Sequence, residues 1–181
     1  MANNCYTTYK CIGNAKEIED LENKIKTAKD AGFTSIIEAL GEDPEPYQRR
    51  GIVDDTYRAS DTQLNIYQDT AWREQEGFRQ CIEKVYPSIK VYFQDEEPGC
   101  EWYVTNSFEH FPERYMLDSY EEPRYYEDID DAAKDVSEIV GYEIAPDVTA
   151  IINALDKYME EHPEEENWHS FHTFELITDE Q

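Results

Sequence analysis

Two hydrophobic periods alternate along the first hundred residues. Cys5–Ile12 (CYTTYKCI) alternates and is rich in β-formers, which predicts a strand ended by Gly13. The period then lengthens, and Ile18, Leu21, Ile25 and Ala28 mark one face at helical spacing. Asn14 with Glu17 has the form of a capping box. Asp20/Lys24 and Glu22/Lys26 are i,i+4 pairs in the favourable order, and Gly32 is expected to close the helix.

Ser35 with Glu38 predicts a short helix over Ile36–Leu40, and Gly41–Gly51 (GEDPEPYQRRG) reads as a loop. Strands are expected at Ile52–Tyr57 and Leu64–Asp69, joined by a turn at Arg58–Thr62. Asp69 or Thr70 is the expected cap of a second helix. Its buried stripe is Phe78, Cys81, Ile82 and Val85, and Pro87 stops it. Ile89, Val91 and Phe93 alternate with Lys90, Tyr92 and Gln94, a strand. Asp95–Gly99 (DEEPG) is a predicted turn, and Cys100–Asn106 a strand with Trp102 and Val104 on one side.

The resulting order, β-α-β-β-α-β-β, predicts an α+β fold: a ferredoxin-like split βαβ sandwich with one added strand. Beyond Ser107 the chain becomes aromatic and acidic. Short strands are expected at Tyr115–Ser119 and Arg124–Asp128, and a helix at Asp131–Val140. A second helix runs from about Asp147 with Val148, Ile151, Ile152, Leu155 and Met159 inward, and Trp168–Thr178 is a final strand. The expected organisation is therefore a ferredoxin-like domain over residues 1–106. Residues 107–181 form an acidic C-terminal α/β extension packed on it.

The stretch Leu64–Gly99 resembles the YubB ferredoxin-like domain family of phages and plasmids. The likeness is carried by Thr70-Ala71-Trp72, Tyr86-Pro87 and Glu96-Glu97-Pro98-Gly99. It spans roughly the first 106 residues, although Arg73–Gln75 lacks the family's prolines and Ile52–Tyr57 lacks its tryptophan. The resemblance implies the fold and a mobile-element accessory context, and it implies no established reaction.

Composition changes the picture in one respect. Leu, Ile, Val and Phe total 35 of 181 residues with a net charge of −26, a pairing that can mark disorder. The 14 Tyr, the 3 Trp and the regular periods argue for a folded chain. The charge is uneven: residues 1–90 carry 16 Asp/Glu against 12 Lys/Arg, and residues 91–181 carry 26 against 4. Such an excess repels phosphate backbones and anionic lipid, so neither direct nucleic-acid binding nor membrane association is expected. Apolar runs reach only three residues, as in Val91-Tyr92-Phe93. Cys5, Cys11, Cys81 and Cys100 show no CxxC spacing and read as free thiols in a reducing, cytoplasmic compartment.

No nucleophile elbow, phosphate loop, dinucleotide fingerprint or HExxH motif occurs. His169 and His172, three apart on a predicted strand, point to opposite faces and argue against a zinc site. Glu127–Asp131 (EDIDD) lacks the glycine and distal glutamate of a calcium loop and reads as an acidic helix start. Neither a cofactor nor a metal is expected. Alternation sends Tyr67, Tyr92 and Tyr103 to the sheet face opposite the helices. With Glu96 and Glu97 they form the candidate interaction surface, unless the extension covers it.

These features predict a non-enzymatic acidic accessory module that binds a basic protein. Two alternatives are a DNA mimic that blocks a nucleic-acid-binding protein, and a small carboxylate- or metal-dependent enzyme using Glu96, Glu97 or Asp128.

Overall fold

Residues 3–178 are described by the computed structural model, the side chain of Glu165 excepted. The fold is mixed α+β, with five α-helices among the described residues and sheets that are mostly antiparallel. Two compact units divide the chain. One lies within Met1–His110 and Ile177–Gln181, the other within Phe111–Leu176.

The first unit is organised around β1 (Asn4–Ile12), whose alternation buries Cys5, Thr7, Tyr9 and Cys11 on one face. It is followed by α1 (Ala15–Thr27), α2 (Phe33–Ala39), β2 (Gly51–Ser60), β3 (Gln63–Ala71), α3 (Glu76–Val85), β4 (Lys90–Glu97) and β5 (Trp102–Thr105). The five strands of this unit lie in the order β2-β3-β1-β4-β5, so β1 sits between β3 and β4. The helices bury Ile18, Leu21, Ile36, Ile37, Phe78 and Ile82 against Tyr9, Cys11, Leu64, Ile66, Val91 and Phe93. Phe33 and Phe78 stack with ring centroids 4.1 Å apart at the centre of that core.

Local chemistry explains most boundaries. The Asn14 side chain accepts the Glu17 N–H at 2.9 Å, the expected cap. The reciprocal half of the capping box is diverted: the Glu17 carboxylate accepts from the Ser88 N–H at 3.1 Å and its hydroxyl at 2.7 Å. Lys26 pairs with Glu22 at 2.5 Å, and Arg58 reaches the same carboxylate at 2.8 Å. Gly32 caps the start of α2 and does not close α1, which ends at Thr27. Asp69 and Thr70 lie inside β3, because its ladder with β1 runs on to Ala71. Gln75 occupies the cap position of α3. Asp95, Glu96 and Glu97 continue β4, and the turn is confined to Pro98–Cys100 with Glu101 left-handed at φ 53°.

The second unit contains β6 (Tyr115–Ser119), β7 (Arg124–Tyr126), α4 (Ile129–Val140), α5 (Val148–Glu161), β8 (His169–Thr173) and the two-residue β9 (Glu175–Leu176). Strands β7, β6 and β8 form an antiparallel sheet in that order. Its core joins Leu117, Tyr126 and Phe171 to Ala132, Val136, Ile151 and Leu155. Each fully buried Val, Leu or Ile side chain there contributes about 1.5–3 kcal/mol. Gly141, at φ 81°, ends α4 in the left-handed cap, and the Asp147 side chain caps α5 by accepting the Ala150 N–H at 3.0 Å. Ile152, expected inward, is exposed, and Ala154 takes the buried position. The predicted final strand is broken at Phe174, whose N–H donates to the Arg114 carbonyl.

Candidate functional site

The expected interaction surface is only partly formed. Alternation does place Tyr67, Tyr92, Tyr103 and Glu96 on the sheet face opposite Tyr9 and Phe93. Tyr67 is exposed and Glu96 half-buried. Tyr92 is covered by His110, whose ring stacks on it at 3.5 Å and is held by a 2.9 Å contact between Nδ1 and the Ser107 hydroxyl. Tyr103 is buried. Glu97 faces the other way, beside Asp95, and is buried with Oε1 accepting the Gly99 N–H. Of the five, Tyr67 is thus exposed, Tyr92 and Glu96 are half-buried, and Tyr103 and Glu97 are buried.

The first unit instead gathers charge in its interior. Glu74 and Arg79, both buried, form an ion pair at 2.8 Å, and the Tyr9 hydroxyl donates to the same carboxylate oxygen at 2.9 Å. Asp95, also buried, accepts from the Thr7 hydroxyl at 2.7 Å, the Glu74 N–H at 2.7 Å and the Trp102 indole N–H at 3.2 Å. Burial pushes Glu74 up to about 7, with the Arg79 charge and the donors opposing it. Burial raises Asp95 as well. Burial, with Asp95 nearby, pushes the Cys5 thiol up to about 12.

The chain enters this cluster through Trp72, which leaves β3 with φ 73°. A left-handed conformation at a residue with a Cβ costs about 1 kcal/mol. A cavity of about 200 Å³ opens beside the pair, lined by Glu74, Arg79, Asp95, Phe93, Trp102 and Thr178 among others. Chemically this group can hold or release a proton near neutrality. The sequence carried one signal of it: Arg79 lies between Phe78 and Ile82, a charged residue beside the apolar stripe.

The second unit presents a different surface. Phe111–Leu176 holds 19 Asp/Glu against 4 Lys/Arg. Among its described acidic side chains only Glu113, Asp118 and Asp135 are half-buried; the rest are exposed. Within the unit Arg124 pairs with Asp135 at 3.4 Å and Lys157 with Glu161 at 3.9 Å.

A groove of about 380 Å³ lies in this surface, lined by Tyr120, Met159, His162, Pro163, Glu164, Asn167 and Trp168. Its walls are fixed locally. Tyr158 stacks on His162 at 4.4 Å and donates its hydroxyl to Asn167 Oδ1 at 3.4 Å. Asn167 in turn donates from Nδ2 to the Glu164 carboxylate at 3.1 Å. Tyr120 and Trp168 remain exposed, at 61% and 46%. Neither was singled out from the sequence, although Tyr120-Glu121-Glu122 and Glu164–Trp168 (EEENW) set aromatics among acids.

Among the described residues no group of three or more His, Cys, Asp or Glu is placed to hold a metal ion. His169 is half-buried, with Nδ1 unbonded and its imidazole held below the usual range by burial. Glu127, Asp128, Asp130 and Asp131 are exposed around the start of α4, where carboxylates complement the positive end of the helix dipole. No described helix is long and apolar enough to cross a membrane. Cys5, Cys11 and Cys81 are buried free thiols, and Cys100 is an exposed one.

No protein-family model and no curated protein matches the chain. Among solved structures, the chain is similar to an unknown protein from Galdieria sulphuraria. That match has 10% identity, 98% of this chain and 100% of the other covered, and a TM-score of 0.28.

Proposed function

We propose that this chain is a non-catalytic protein-binding module whose second unit receives a basic partner. The observation that carries the reading is the outward display of the acids of Phe111–Leu176, with only 4 Lys/Arg to offset 19 Asp/Glu. Carboxylates turned outward attract a cationic surface over roughly a Debye length and speed encounter. The first unit is read as a ferredoxin-like domain of the YubB type. The strand order β2-β3-β1-β4, antiparallel throughout, supports that reading. Cytoplasmic residence belongs to the same proposal, supported by three buried thiols left unpaired.

Calorimetric titration with an oligolysine peptide, and with oligoglutamate as control, tests this directly. The module binds oligolysine at low salt, loses affinity steeply as salt rises, and ignores oligoglutamate. Absence of oligolysine binding at low salt contradicts it.

A second reading is favoured by one observation. Glu74, poised near neutrality beside a cavity that also reaches Asp95, has the makings of a general acid–base group. Under that reading the working carboxylates are Glu74 and Asp95, which meet at one cavity. Measurable turnover lost in Glu74→Gln would displace the module reading.

A further inference from the structure

We propose that the groove between the C-terminal end of α5 and the segment leading into β8 seats one Lys or Arg side chain of the basic partner. Trp168 and Tyr120 supply ring faces, and Glu164 supplies the counter-charge. This rests on the reading of the second unit as an acidic docking module and names the part of it that selects.

Three independent features of the groove favour a cation. The first is aromatic. An indole and a phenol stand exposed at one concavity, and the electron-rich faces of such rings attract ammonium and guanidinium groups. The unit already contains such a contact, since Lys157 Nζ lies 5.9 Å from the centroid of Tyr142. The second feature is the carboxylate. Glu164 is held by Asn167 Nδ2 at 3.1 Å, so part of the entropy cost of ordering it is already met before a ligand arrives. Glu160 adds exposed charge in the last turn of α5.

The third is the helix end. The groove includes His162, the C-cap of α5, a 14-residue helix with no basic residue in its last turn. The carbonyl end of a helix carries partial negative charge and stabilises a nearby cation. An anion meets all of these as repulsion. An uncharged aliphatic side chain gains only the ring contacts. A long cationic side chain uses everything: its methylenes lie along Met159 and Pro163 while its head meets rings and carboxylate. The groove's roughly 380 Å³ leaves room beyond one such side chain for flanking backbone.

The test is fluorescence anisotropy with a labelled oligolysine peptide against the full chain and four variants at fixed low salt. Trp168→Ala weakens binding about tenfold and Trp168→Phe, which keeps a ring, recovers most of that loss. Tyr120→Ala and Glu164→Gln each weaken it about threefold. Circular dichroism confirms that each variant is folded, and the Phe variant keeps the comparison informative where the Ala variant is not. Wild-type binding unchanged in Trp168→Ala and Tyr120→Ala overturns the groove while leaving the acidic surface as a diffuse attractor. Failure of the wild-type chain to bind at all overturns the module reading beneath it.

Discussion

The Tyr9 hydroxyl and the Glu74 carboxylate, 65 residues apart in sequence, share a hydrogen bond of 2.9 Å in the interior of the first unit. The bond ties the central strand β1 to the loop before α3, where Trp72 turns left-handed and Gln75 donates back to the Ala71 and Arg73 carbonyls. A buried carboxylate so placed must either stay charged against Arg79 or take up a proton. Burial favours the proton.

That choice makes stability depend on pH. A carboxyl raised from 4.5 to about 7 on folding holds a proton in the folded chain that the unfolded chain has released. Its favourable contribution is complete below the unfolded value and is lost as pH rises through about 7. The swing amounts to about 3 kcal/mol. Glu74→Gln cannot titrate, so urea unfolding at a series of pH values should show wild type losing about 3 kcal/mol relative to the variant between pH 4.5 and 8. A constant difference would mean that Arg79 keeps Glu74 ionised throughout.

Gly77 reverses the usual rule for helix glycines. Replacing glycine by alanine inside a helix normally gains about 1 kcal/mol. Here an added Cβ would stand 2.2 Å from the Gln48 backbone nitrogen and 2.9 Å from its carbonyl oxygen, which are not flexible groups that can swing aside. The loop before β2 packs too closely over α3. Gly77→Ala should therefore destabilise by about 1–3 kcal/mol in thermal or urea unfolding. A stabilised variant would show that this loop yields.

Much of the fold was legible because two periods, 2 and 3.6, are written clearly in Cys5–Ile12, Ile18–Ala28 and Ile89–Phe93. Boundaries failed where tertiary contact overrode local chemistry. Asp69 and Thr70 resemble caps, yet the ladder to β1 claims them. Glu17 resembles half of a capping box, yet its carboxylate accepts from Ser88 while the Asn14 N–H donates to the Ser88 hydroxyl. The candidate sites were harder to read. Parity placed Tyr67, Tyr92 and Tyr103 on one face but is blind to what covers a face, such as His110 over Tyr92. Glu74 and Asp95 lie in different elements, and only β1–β4 pairing with the β3–α3 turn brings them together. Tyr120 and Trp168 likewise reach one groove from segments far apart in the chain.

The acidic surface and its groove are tested most directly by hydrogen-exchange mass spectrometry of the chain with and without saturating oligolysine. Protection concentrated in segments containing Tyr120 and the stretch from Met159 to Trp168 is the predicted result. Protection confined to the first unit, or spread evenly over both, would contradict the account.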